Sequence, residues 1–99
     1  MADYILTQKA VEDLAIIWNY TFDAWSENQA DIYYRTLLDS FQLIADNPYI
    51  GKSYMEIQED LFGLKVNRHI VFYRQSSYKP IEIIRILHVQ MDLENRVKE

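Results

Sequence analysis

The sequence predicts an α+β fold: a helical hairpin packed on a small, mainly antiparallel sheet, in the order β-α-α-β-β-β. Two observations carry that prediction. Between residues 8 and 46 apolar side chains recur every three or four positions, and between 61 and 87 they follow the two-residue rhythm of strands. The period changes at Asn47-Pro48, where proline cannot continue a helix and biases the residue before it toward extended angles. Ninety-nine residues supply one core, so residues 1–99 are expected to form a single domain.

Each element has its own local reason. Tyr4-Ile5-Leu6 is short, aromatic and β-branched, a strand signature, and Thr7 is placed to cap a helix starting near Gln8. Val11, Leu14, Trp18, Phe22 and Trp25 mark an apolar stripe along that helix, widened by Ile17 and Tyr20. Ser26-Glu27-Asn28-Gln29 has the spacing of a capping box and starts a second helix, with Ala30, Tyr33, Leu37, Phe41 and Ile44 on one face. So short a connection predicts an antiparallel helical hairpin. The stretch from Asn47 to Met55 reads as loop. Residues 61–66, 69–75 and 81–87 read as strands, with a hairpin turn at Asn67-Arg68, a second turn at 76–80, and asparagine suited to left-handed angles. Ile81, Ile83, Ile84, Ile86 and Leu87 put apolar groups on both faces, which predicts a central strand. Val97 suits a final packed turn, and Lys98-Glu99 reads as a frayed end.

Composition narrows the function classes. There is no cysteine, hence no disulfide framework and no thiolate metal site, which fits a cytoplasmic location. The first fifteen residues lack a signal-peptide pattern, and no stretch approaches the ~20 apolar residues of a membrane helix. Residues 1–60 hold three Lys/Arg against eleven Asp/Glu, a net of −8, while residues 61–99 hold seven against four, a net of +3. An acidic chain of this kind is not expected to bind nucleic acid directly and sequence-specifically, because phosphate neutralisation supplies most of that affinity.

Few residues suggest chemistry. Arg85 lies in an apolar strand, and a buried guanidinium needs a carboxylate. Two readings stand: an Arg85–Asp92 pair that fastens the C-terminus, or an anion site. His69 and His88 are the only histidines, and neither has another at helical spacing, so no metal site is expected. His88 reads as a strand-end hydrogen bonder. Glu12, Asp13, Asp23, Asp31 and Asp39 read as a solvated helix face. Gly51 and Gly63 stand alone, which leaves no phosphate loop and no expected cofactor. Eight Tyr, four Phe and two Trp exceed what so small a core needs, and surface tyrosines favour protein interfaces.

Nearly the whole chain also resembles a known family. The segments are "TQKAVEDLAIIWNYTFDAWSENQADIYYRTLLDSF", "IADNPYIGKS", "GLKVNRHIVFYR" and "IEIIRILHVQMDL". Together the patterns NP-x-x-G, H-x-x-F-Y-R and R-I-L-H-x-x-M-D resemble the ParE toxins of the RelE/ParE superfamily, the plasmid-stabilisation type of toxin–antitoxin protein. The resemblance implies the fold derived above and two possible activities. RelE-like members cut messenger RNA in the ribosome, using basic groups on the sheet, a Lys-Arg pair after the last strand and a Tyr near the C-terminus. Here Lys65 keeps a basic sheet position, but Ile70 stands where an Arg is expected. Gln90 and Met91 replace the Lys-Arg pair, and Val97 falls near the Tyr. ParE-like members bind and poison DNA gyrase, which needs a surface and no bond-breaking. The resemblance therefore implies a non-enzymatic gyrase inhibitor; the alternatives are a ribosome-dependent mRNA endonuclease, or a ParE-like toxin with another cellular target. The implied target surface comprises Lys65, Arg68, His69 and Arg74, with Arg85 and His88 closer in. The implied partner is a ParD-like antitoxin whose tail lays a helix beside the helical hairpin, with Tyr34, Leu38, Tyr49 and Ile50 as the expected contacts.

Overall fold

The computed structural model describes residues 3–76 and 79–99, so the centre of the turn expected at 76–80, including Tyr78, lies outside the described residues. The elements run β1 (Tyr4–Leu6), α1 (Gln8–Ala24), α2 (Glu27–Asp46), β2 (Lys52–Ser53), β3 (Leu61–Val66), β4 (His69–Ser76), β5 (Lys79–His88) and α3 (Leu93–Val97). The sheet order is β1-β5-β4-β3-β2, with β1 parallel to β5 and every other pairing antiparallel. The α+β architecture is the expected one, with two additions, the short edge strand β2 and the terminal helix α3.

Local chemistry explains the helix ends. Thr7 Oγ1 accepts the Ala10 N–H at 3.1 Å and donates to the Ile84 carbonyl at 2.7 Å, so one hydroxyl caps α1 and ties it to β5. Ser26 Oγ accepts from the Gln29 N–H at 3.1 Å, the serine half of the expected capping box. Asn47 closes α2, its N–H donating to the carbonyls of Leu43 and Ile44. Asn67 makes the β3–β4 turn with φ 55°, the left-handed angle that asparagine tolerates.

The sheet carries a core on each face. Ala10, Leu14, Ile17, Leu37, Phe41 and Ile44 from the hairpin meet Val71, Tyr73, Ile81, Ile83 and Ile86. Behind the sheet, Leu61, Ile70, Phe72 and Leu87 pack with Val97 of α3 and with Tyr54 and Ile57. Both cores draw on β5, as its two apolar faces require. The stripe expected on α1 is only partly inward. Leu14 and Ile17 are buried, but Val11, Tyr20, Phe22 and Trp25 are exposed. The buried set is Ala10, Asp13, Leu14 and Ile17, which shifts the inward face one position toward the N-terminus, and nothing after Ile17 is buried.

A loop pin accounts for one sequence pattern. Tyr73 Oη donates to the Pro48 carbonyl at 2.7 Å and accepts from the Gly51 N–H at 3.0 Å, fastening the exit of α2 onto β4. A Cβ on Gly51 would lie 2.8 Å from Tyr73 Cε1 and 2.9 Å from the Gly63 carbonyl, so only glycine lets the ring approach. Burial raises the Tyr73 pKa, with the Gly51 N–H opposing.

Candidate functional site

Register brings part of the expected target surface together. Val66 pairs with His69 and His69 with His88, which gathers Lys65, Arg68, His69 and His88 at the β3–β4 turn end of the sheet. Lys65 and Arg68 are exposed there, and the Arg68 carbonyl accepts the Val89 N–H at 2.9 Å. Arg74 is not part of this group. It pairs with Leu61 at the other end of β4, five residues and ~16 Å away, hydrogen-bonds Gln58 at 3.0 Å and faces Glu82 at 3.6 Å.

The two histidines are held in place. Tyr33 Oη sits 2.6 Å from His69 Nδ1 and 3.2 Å from the Val66 carbonyl, linking α2 to the turn. Burial lowers the His69 pKa from 6.5 to about 4, with repulsion from His88 adding to it and Asp13 opposing, so the ring is neutral at pH 7. Burial raises the Tyr33 pKa, partly offset by the Arg68 N–H. His88 Nδ1 accepts the Gln90 N–H at 3.1 Å, the strand-end role expected of it, which places the proton of the neutral ring on Nε2. The two imidazoles meet edge to face, centroids 5.3 Å apart. Among the described residues no three His, Asp or Glu side chains gather to hold a metal ion.

Arg85 answers differently from the expectation. The Arg85–Asp92 pair does not form. Asp92 instead caps α3, Oδ1 accepting from the Asn95 backbone N–H at 3.5 Å and Oδ2 from the Asn95 side-chain amide at 2.6 Å. The partner of Arg85 is Asp13 on α1: Nε–Oδ2 is 2.8 Å and NH2–Oδ1 is 3.0 Å, a two-point grip. Asp13 Oδ2 also accepts the Ile86 N–H at 3.0 Å. Topology explains this. β1 pairs only with Ile81 to Ile83, so β5 has a bare edge beyond it, and the Asp13 carboxylate takes the place of the missing strand. A bulge at Ile84, marked by Phe72 facing Arg85 while Tyr73 faces Ile83, sets the local twist. The remaining Arg85 nitrogen donates to the Arg96 carbonyl and lies 3.6 Å from Glu99, tying α3 down and giving the expected frayed end an anchor. The Asp13 hydrogen bonds raise the Arg85 pKa further, against the opposing effect of burial. Asp13 is therefore no solvated surface charge. Its place in the series Ala10-Asp13-Leu14-Ile17 was the sequence signal.

The expected antitoxin contacts fall in two places. Tyr34 is 39 % exposed and lines a cavity of about 370 Å³ between the helices, with Leu14, Ala15, Trp18, Asn19 and Asp31. Leu38, one turn on, is half-buried against the hairpin-side core. Tyr49 and Ile50 are exposed on the loop after α2, at least ~18 Å from Tyr34 along the helix axis.

A helical hairpin thus lies on a mixed five-stranded sheet, and among the described residues the one buried cation, Arg85, is neutralised by Asp13. The sequence matches the family described as "ParE toxin of type II toxin-antitoxin system, parDE" over residues 4–93. It is 34 % identical over 94 residues to Toxin ParE1 of Mycobacterium tuberculosis, covering 95 % of this chain and 96 % of that one. It is 34 % identical over 92 residues to Toxin ParE1 of Caulobacter vibrioides, covering 93 % and 94 %. In fold it is similar to a chain of the structure titled "Chromosomal ParDE TA system from P. aeruginosa", with a TM-score of 0.78 at 18 % identity, covering 91 % of this chain and 98 % of that one. The chain belongs to the ParE toxin family of type II toxin–antitoxin systems.

Proposed function

We propose that this toxin acts by binding and inhibiting DNA gyrase in the cytoplasm, and that a ParD-like antitoxin neutralises it. Support comes from what occupies the positions where nuclease relatives carry their cations and tyrosine. Ile70 and Val97 are 6 % exposed and belong to the core behind the sheet. Gln90 and Met91 are uncharged, and Arg85 is spent on Asp13. Cleaving a phosphodiester needs cations free to meet developing negative charge. Here Ile70 and Val97 serve packing, and the exposed cations Lys65, at the end of β3, and Arg68, on the turn after it, are suited to docking. Among the described residues no helix is long and apolar enough to cross a membrane.

The test is a gyrase supercoiling and cleavage assay with the purified chain. The proposal expects lost supercoiling, accumulation of cleaved DNA and relief of both by the antitoxin. Unchanged supercoiling with no cleaved DNA at excess toxin would reject gyrase as the target.

A further inference from the structure

The cavity between α1 and α2 has walls of an unusual kind for a simple apolar groove. Leu14 and Ala15 are apolar, Trp18 and Tyr34 bring aromatic rings, and Asp31 and Asn19 bring polar groups. Trp18 is held from two directions: its Nε1–H donates to Asp31 Oδ1 at 3.2 Å, and its ring stacks on Phe22 with centroids 5.3 Å apart. That arrangement fixes the indole and leaves Asp31 Oδ2 without a cation among the described residues. The surroundings are acidic. From Gln8 to Asp46 there are seven Asp/Glu and two Lys/Arg, and neither cation, Lys9 nor Arg35, lines the cavity.

We infer that this cavity is a guanidinium pocket, which takes an arginine side chain from the antitoxin segment laid along the hairpin. The source of the arginine rests on the antitoxin reading above; the chemistry of the pocket does not. Guanidinium is planar and weakly hydrated, so it stacks on aromatic rings and presents a donor fork to a carboxylate. An ammonium is compact and strongly hydrated, and gives up more on entering such a site. An aliphatic side chain would cover Asp31 Oδ2 and offer it no hydrogen bond in place of water, which is costly. Among cations and apolar groups, arginine alone satisfies every wall.

The test uses the purified chain labelled with nitrogen-15 and four capped amino acids, the Nα-acetyl methylamides of arginine, citrulline, lysine and leucine. The indole N–H signal of Trp18 reports on the pocket, and that of Trp25, exposed at the end of α1, serves as the internal control. The arginine probe should shift Trp18 saturably in the millimolar range while Trp25 stays put, with the other probes at least ~5-fold weaker. Asp31→Asn, which keeps the side-chain shape, should weaken the arginine probe about tenfold, the loss expected when one charge-assisted contact becomes neutral. No shift with arginine, or an equal response to leucine, overturns the inference. The co-expressed antitoxin then separates the two claims. If it binds the wild-type chain and Asp31→Asn equally well, the pocket assignment falls and the ParDE reading stands. If no antitoxin binds while the arginine probe does, the pocket stands and that reading falls.

Discussion

Removing the Asp13 carboxylate is the sharpest perturbation the fold offers. Asp13→Ala strips Arg85, 6 % exposed, of its two-point partner and leaves the Ile86 N–H on the bare edge of β5. Breaking a buried ion pair from one side costs ~3–5 kcal/mol, since the other charge stays behind. Arg85 retains the Arg96 carbonyl and the half-exposed Glu99, which points to the lower end of that range. The orphaned N–H adds ~1 kcal/mol, which brings the expected loss to about 4 kcal/mol. A domain of this size is stable by only ~5–15 kcal/mol, so the fraction lost is large. Urea unfolding followed by circular dichroism should show the midpoint falling by roughly 2–4 M, given a slope of ~1–2 kcal/mol per molar. The double variant Asp13→Leu/Arg85→Met removes both charges and should return to within about 1 kcal/mol of wild type. A loss under ~1 kcal/mol for Asp13→Ala, or a double variant no better than the single one, would refute the reasoning.

Other consequences follow from the same structure. Tyr73→Phe leaves the Pro48 carbonyl and Gly51 N–H unpaired and should cost ~1–3 kcal/mol by urea unfolding, without loss of the sheet signal. Gly51→Ala should cost a similar ~1–3 kcal/mol through the ring contact, and Tyr73→Leu should erase part of that penalty. His69 takes up its proton near pH 6.5 when unfolded and near pH 4 when folded. Stability is therefore full above pH 6.5 and declines as pH falls toward 4, by about 1–2 kcal/mol once partial exposure is allowed for. His69→Asn should flatten that part of the pH profile in a stability titration. Reversing Lys65 and Arg68 to Glu should lower toxicity in cells ~10-fold or more while antitoxin affinity stays within ~3-fold, which growth curves and calorimetry can compare.

What the sequence revealed was local in origin. The caps of Thr7 and Ser26, the helix end at Asn47 and the turn at Asn67 act within four residues of themselves, and the structure finds each where its chemistry suggests. The strands of the meander are legible for the same reason, because period two survives without knowledge of the partners. Asp13 was misread because its meaning depends on Arg85, 72 residues away, and on β1 ending too soon to cover β5. The stripe on α1 erred by one position because the helix has apolar residues on several sides, and the sheet decides which are buried. The pair Lys52–Ser53 is too short to carry a strand pattern, and only its pairing with Phe62 and Gly63 makes it one. In the candidate surfaces, Lys65, Arg68 and His69 lie together because hairpin register follows from the turn, and the β4–β5 pairing adds His88 beside His69. Arg74 was misplaced because the same strand carries it to the other end.

The central claim is that this toxin harms by docking. The most direct measurement is primer extension on a defined message in a purified translation system containing the chain. The account predicts full-length products at every toxin concentration that traps gyrase on DNA. Discrete truncations at the codon in the ribosomal A site would contradict it.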